Sequence, residues 1–387
     1  MDSLPQELID RIIDHLPYPE LPSSSLVANR WKRHSQQQYF DFVIFWFEDQ
    51  IALWDMNIPR DPDGIPSYVH HVQVRNIRSW DNPAIFVRVL KTFSSVESLV
   101  MSGANIPPLD EVMGPVSFGE FGKALTSLTL LSQSCTSATI MSFILSFSNL
   151  KELVIEHVGI ASEDLEPLSA LPDTSHRESL RRLVLQGVPN ALGTALVQYR
   201  FTCNSLDLDV YSHGGEQLIA LSSETLVKLS LQGRRSHGFP GKRSDTDGST
   251  FTIDHDFAIR KVHIPLPEVH LPPLSVLGRV EIQLHSEEVS VRLVDFLSSI
   301  RSAPVVSFIT FMFPVQPRAP VFPPPGPWVR MDKWLARLAS DRGRTEGGLI
   351  VILEAWPEGD SNWERYFPAF RMAGGQLTVG LVGAPGW

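Results

Sequence analysis

The feature that most constrains this chain is a short pattern, apolar-x-x-apolar-x-apolar, that returns along its length with one-sided helices between the copies. It occurs at Val69-Val72-Val74, Val96-Leu99-Met101, Leu125-Leu128-Leu130, Leu150-Leu153-Ile155 and Leu180-Leu183-Leu185. It continues at Cys203-Leu206-Leu208, Leu226-Leu229-Leu231, Ile259-Val262-Ile264, Leu277-Val280-Ile282 and Val306-Ile309-Phe311. Most copies start roughly 23 to 30 residues apart, the scale of an array built from one supersecondary unit. The pattern alone decides little, because a chain that is 43% hydrophobic supplies many such matches by chance. The segments between the copies decide more. Phe86-Val89-Leu90-Phe93, Ile140-Phe143-Ile144-Phe147, Leu192-Ala195-Leu196-Tyr199 and Leu293-Phe296-Leu297-Ile300 each recur at i, i+3, i+4, i+7, which predicts a helix with one apolar face. Asn82-Pro83 supplies a cap and a first-turn proline for the first of them. A strand and a helix of this size cannot bury their apolar faces alone and must stack on a neighbouring copy. An array growing in one direction also accommodates 387 residues, too many for one compact core of ordinary size.

This unit resembles the α/β leucine-rich repeat. The resemblance implies an α/β fold class, with a curved solenoid of degenerate repeats over residues 39–313. Gln133, Val158 and Val188 stand where the repeat usually carries Asn or Cys, so the asparagine ladder is expected to be missing and the curvature irregular. Residues 57–67 read as a loop after a first strand–helix pair, and 233–250, rich in Gly, Ser, Arg and Asp, as an exposed insertion. The prolines of 314–330 predict a stiff spacer. Residues 331–387 are expected to form a terminal cap, with a helix on Met331-Trp334-Leu335-Leu338, a strand from Leu349 to Leu353 and a last strand at Leu377 and Val379.

Residues 1–38 have a different pattern. Ser3, Pro5 and Gln6 open a helix whose Ile9, Ile12, Ile13 and Leu16 form one stripe, and Pro17 and Pro19 end it. A second helical stretch carries Leu21, Leu26, Val27 and Trp31. The string Leu4-Pro5-x-Glu7-Leu8-Ile9-x-x-Ile12-Ile13-x-x-Leu16, followed by Leu26-Val27-x-x-x-Trp31, resembles an F-box, in the form common to expanded fungal F-box families. Ala28 and Asn29 replace a frequent Cys-Arg pair, and Pro22 with Ser23 to Ser25 weakens the second helix. The resemblance implies docking on a Skp-type adaptor, and through it on a cullin, by Leu4, Pro5, Leu8, Ile9, Ile12, Ile13, Leu16, Leu26, Val27 and Trp31. The competing reading is a helical hairpin that only caps the domain behind it.

Other chemistries find no support. A net charge of −10 argues against general nucleic-acid binding, which needs basic residues over phosphates. Cys135 and Cys203 make neither a disulfide framework nor a metal spacing. Met1-Asp2-Ser3 opens no secretory leader, and the apolar burst Phe42 to Phe47 is too short to span a bilayer, so a cytoplasmic or nuclear setting is expected. Gly238-x-x-Gly241-Lys242-Arg243 lacks the Ser or Thr and the first glycine of a P-loop, and no zinc-binding His-Glu-x-x-His or nucleophile elbow occurs. The expectation is therefore an adaptor without enzymatic activity or cofactor: the substrate-recognition subunit of an SCF-type ubiquitin ligase or, alternatively, a leucine-rich-repeat scaffold outside ubiquitination. The residue before the second anchor of each strand should face the inner side of the array. That row reads Ser98, Ser127, Glu152, Arg182, Ser205, Lys228, Lys261 and Arg279. Arg182, Lys228, Lys261 and Arg279 are the expected target-binding residues, for an acidic or phosphorylated segment. The bland alternative is a solvated polar face.

Overall fold

The computed structural model describes residues 4–58, 64–106, 118–159, 179–209, 214–232, 274, 277–283, 291–300, 303, 305–312, 326–342, 349–354 and 366–380. A helical N-terminus leads into an α/β region whose twelve strands follow chain order in one sheet. The chain forms two compact units, residues 1–231 with 276–280, and residues 232–275 with 281–387.

In the first unit, α1 (Gln6–Asp14), α2 (Leu21–Ser24) and α3 (Asn29–Phe40) precede β1 (Phe42–Phe45) and α4 (Glu48–Asn57). Then come β2 (His71–Arg75), α5 (Pro83–Leu90), β3 (Ser98–Ser102), α6 (Gly119–Ala124), β4 (Ser127–Leu131), α7 (Ser137–Leu145) and β5 (Glu152–Glu156). They are followed by β6 (Leu180–Gln186), α8 (Asn190–Gln198), β7 (Cys203–Asp209), α9 (Gly215–Leu221), β8 (Lys228–Gln232) and the start of β9 (Arg279–Gln283). Strands β1 to β7 pair in parallel, and each second anchor faces the same anchor of the next copy: Val72, Leu99, Leu128, Leu153, Leu183, Leu206. The described anchors in this unit are at most 6% exposed, which is what period-2 alternation requires when one sheet face is covered by helices. The apolar helix residues meet them from the other side. Phe118 and Phe121, at the start of α6, pack with Phe143 and Phe147 of the next helical layer, their ring centroids 5.0–6.1 Å apart. Each buried side chain of this size contributes roughly 1.5–3 kcal/mol.

A turn repeats with the strands. The residue directly after β2, β3, β4, β5 and β6 is left-handed in every case: Asn76 (φ 59°), Gly103 (60°), Ser132 (53°), His157 (54°) and Gly187 (58°). In the first four its amide donates to the last carbonyl of the next strand, at Ser102, Leu131, Glu156 and Gln186. The same backbone device thus closes successive copies although the residue type varies. Beyond it, the amide of Gln133 donates to the Met101 and Leu131 carbonyls at 3.1 and 3.2 Å. Asn105 donates to the Arg78 carbonyl and accepts from the Ser134 amide. The expected loss of lateral amide bonding is therefore corrected at Gln133, whose longer side chain still reaches the preceding copy.

In the second unit, α10 (Val291–Ser299), β10 (Phe308–Met312), α11 (Gly326–Arg342), β11 (Ile350–Glu354), α12 (Pro368–Met372) and β12 (Gln376–Gly380) continue the alternation. β10, β11 and β12 are parallel, with Phe308 opposite Ile350 and Ile350 opposite Gln376. Buried Asp332 on α11 accepts from the Ala369 and Phe370 amides and so caps α12 with its carboxylate.

Several expectations change. α11 opens at Gly326, inside the stretch 314–330 expected to be spacer, because a helix tolerates Pro327 in its first turn. In 331–387, expected to form a terminal cap, the expected helix and two strands are α11, β11 and β12. Pro5 is the N-cap of α1; Ser3, expected to open the helix, lies outside the described residues. Asn82 makes no side-chain cap; the Glu48 carboxylate takes the Asp81 and Asn82 amides instead. The expected insertion and the strand at Ile259-Val262-Ile264 lie outside the described residues.

Candidate protein-binding surfaces

The N-terminal helices close on a small core. Ile9, Ile13 and Leu21 are 1%, 0% and 3% exposed, with Leu4, Leu16, Trp31 and Tyr39 packed around them. Polar contacts lock α1 and α2 onto α3. His34 Nε2 lies 2.7 Å from the Asp14 carboxylate, to which Gln38 also donates, and the enclosed hydroxyls of Ser24 and Ser35 meet at 2.8 Å.

The ten residues expected to meet an adaptor therefore separate into two sets. Ile9 and Ile13 point into the core and cannot touch a partner without unpacking it; Leu4, Leu16 and Trp31 are partly buried against them. Leu8, Ile12, Leu26 and Val27 are 45%, 42%, 86% and 57% exposed, and Pro5 is exposed beside them. The amphipathic stripe of α1 was legible, but it mixed two faces, because a helix a few turns long can have apolar residues both toward its core and toward a partner. Tyr18, 54% exposed, is a further surface aromatic not expected from the sequence. Leu26 and Val27 fall between α2 and α3, where the chain turns rather than continuing one helix. Four exposed apolar side chains on so small a module make a candidate protein-binding surface.

The comparison with protein families gives that surface its meaning. Residues 1–43 match the F-box domain. The match ends at residue 43, within β1 (Phe42–Phe45). F-box domains bind Skp-type adaptors of SCF ubiquitin ligases. No curated protein matches the chain. Among the described residues no helix is long and apolar enough to cross a membrane, and no His, Cys, Asp and Glu side chains group to hold a metal ion.

The second surface is the sheet face opposite the helices. Register places Ser98, Ser127, Glu152, Arg182 and Ser205 side by side. The Val227 carbonyl accepts from the Gly278 and Arg279 amides, so Arg279 follows Lys228 in the row. Lys261, expected between them, lies outside the described residues. Arg182 and Arg279 are exposed and Lys228 half-buried. As the sequence row has it, Arg182 stands between Glu152 and Ser205.

The sequence reading also missed Asp207. It sits two residues along β7 from Ser205, one position beyond the row, between the strands that carry Arg182 and Lys228. Burial pushes its carboxyl above the ordinary value; a hydrogen bond from Gln186 and the charge of Arg182 pull the other way, Glu156 adds to the rise, and Lys228 opposes it. Its Oδ1 is enclosed without a hydrogen-bond partner, which costs about 1–3 kcal/mol. Only the alternation of β7 could have revealed this residue, since Leu206 and Leu208 point inward and Asp207 must point out.

Cys203 is buried and its thiol is pushed up to about 11 by burial, against a hydrogen bond from Ser222 that lowers it. It is a core residue rather than a nucleophile.

Proposed function

We propose that this chain is the substrate-recognition subunit of an SCF-type ubiquitin ligase. The F-box docks on a Skp-type adaptor, and through it on a cullin, while the α/β region holds a target protein. The observation that carries this reading is the F-box match over residues 1–43 together with the exposed apolar set Leu8, Ile12, Leu26 and Val27. The α/β region is read as a solenoid of degenerate leucine-rich repeats. The parallel strand order, the recurring left-handed turn and the Asn105 and Gln133 bridges support that reading. The target lies on the open sheet face, at Arg182, Lys228 and Arg279, with Lys261 as a further cation from outside the described residues. The similarity of Leu4 to Trp31 to expanded fungal F-box families is part of the same proposal.

In this role the chain performs no catalysis and needs no cofactor. A conjugating enzyme recruited elsewhere in the complex transfers ubiquitin, and this subunit contributes proximity and orientation. Such a complex works in the cytoplasm or nucleus. Calorimetry with a purified Skp-type adaptor is the test. Saturable binding that Leu26→Asp weakens at least about tenfold supports the proposal, tenfold being about 1.4 kcal/mol. Absence of binding favours a repeat scaffold whose N-terminal helices are only a cap.

A further inference from the structure

The charges on the open face bear on what kind of target fits it. Among its described side chains on β5 to β8, Arg182 and Lys228 lie toward the strand starts, whereas Asp207 and Glu156 lie farther along their strands. Glu152 completes the set beside Arg182. A residue two positions along a strand and one strand over is roughly 8 Å away at Cα, which is the offset between Arg182 and Asp207. The patch thus carries both signs: Glu152 stands beside Arg182 at the strand starts, and Glu156 and Asp207 lie farther along.

An acidic or phosphorylated segment fits this mixed patch poorly. An anion placed over Arg182 would extend toward Asp207, Glu152 and Glu156, and like charges brought together across an interface oppose binding. A segment that places an acid over Arg182 and a base over Asp207 meets both signs. The geometry of ordinary secondary structure supplies such pairs. Side chains at i and i+4 of a helix are about 5–6 Å apart, and those at i and i+2 of an extended strand about 6.6 Å. The planar guanidinium of exposed Arg182 suits a carboxylate bound through two parallel hydrogen bonds, and the half-buried Asp207 carboxylate attracts a cation placed over it.

We propose that the open face around Arg182 and Asp207 recognises a mixed-charge protein segment, an Asp or Glu paired with a Lys or Arg one helical turn or two extended residues away. This inference rests on the substrate-receptor reading for its biological context, but its chemistry is tested independently. The full-length chain is applied to an array of synthetic peptides carrying mixed-charge pairs at i, i+2 and i, i+4, all-acidic sequences, phosphoserine sequences and all-basic sequences. Mixed-charge peptides should bind most strongly. Arg182→Gln should remove the preference for the acid and Asp207→Asn the preference for the base, each weakening the best mixed-charge peptide by about tenfold. Thermal unfolding of both variants establishes that they fold. Stronger binding of acidic or phosphoserine peptides, no binding to any peptide, or parent-like binding by both folded variants overturns the proposal. Adaptor calorimetry on the same samples separates the failures: adaptor binding with a silent array defeats the mixed-charge face alone, and array binding without adaptor binding defeats the ligase reading alone.

Discussion

The N-terminal helices and the strand–helix copies behind them treat apolar residues in opposite ways. In the copies, Leu128, Leu153, Leu183 and Leu206 are all 0% exposed, and each is covered by the copies on either side. In the helical module, two residues of the same α1 stripe, Ile9 and Ile13, are equally buried, while Leu8 and Ile12 remain about half in water. A stacked array can close its own core at every interior position. Three short helices cannot, because a small module has too much surface for its volume. In the helical module apolar residues that the array would cover remain exposed. The array's open face mixes charged and polar side chains with Val100, Val154 and Val184.

The largest effect should come from placing a charge at a covered position. Leu153→Asp puts an unpaired carboxylate among the β4, β5 and β6 anchors and should cost at least about 4 kcal/mol, enough to unfold the array or leave it insoluble. Ile13→Asp should instead melt the N-terminal helices. Denaturant titration with circular dichroism checks both; a Leu153→Asp chain as stable as the parent would contradict the inward assignment of that residue.

A smaller effect distinguishes the two sets within α1. Leu8→Asp should leave helix content and unfolding midpoint within about 0.5 kcal/mol of the parent yet weaken adaptor binding at least tenfold. Ile13→Asp should lose binding together with helix signal. If Leu8→Asp also unfolds the module, exposed and buried residues of the stripe are not separable, and the contrast with the array weakens.

The turns allow a finer test of the array. Gly187 has φ +58°, and a Cβ there would lie 3.1 Å from His157 Nδ1, so Gly187→Ala should destabilise by about 1–2 kcal/mol. Ser132 occupies the equivalent position with a side chain, and Ser132→Gly should stabilise by up to about 1 kcal/mol. Opposite signs in a denaturant titration are expected; equal signs would break the equivalence of these turns.

These regions also differ in what the sequence revealed. Strand anchors were legible because a covered sheet face imposes alternation, and Leu183 or Leu229 leave no other reading. The helices at Phe86 and Ile140 were legible for the same reason with a longer period. The recurring turn was not, because Asn, Gly, Ser and His can all occupy its left-handed position and leave no common letter. In the F-box, periodicity found the stripe but could not divide Ile13 from Ile12, since adjacent helical residues 100° apart can both belong to a wide apolar face. On the open face the row was legible position by position, whereas its charge balance depended on strand neighbours. Asp207 lies in a different copy from Arg182, and only the register brings them together.

The smallest predicted effect concerns that balance and has a definite sign. Asp207 has a raised carboxyl, with burial the leading cause. A group whose folded pKa exceeds its unfolded value binds protons more tightly in the native state, so its ionisation costs stability at neutral pH. The cost fades as pH falls through the raised folded value toward the ordinary carboxylate range. Asp207→Asn removes the ionisation and should raise the unfolding temperature at pH 7 by about 1–3 °C. The gap should narrow as pH falls through the raised folded value, because the parent carboxyl then becomes neutral as well. A lower unfolding temperature for the variant at pH 7 would mean that attraction to Arg182 and Lys228 outweighs burial. The array's open face would then be a stabilising charge network, and its contrast with the exposed apolar surface of the F-box would lose its basis. A gain in stability accompanied by loss of mixed-charge peptide binding would instead make Asp207 a residue kept at a cost to the fold, as surface apolar residues are kept in the F-box.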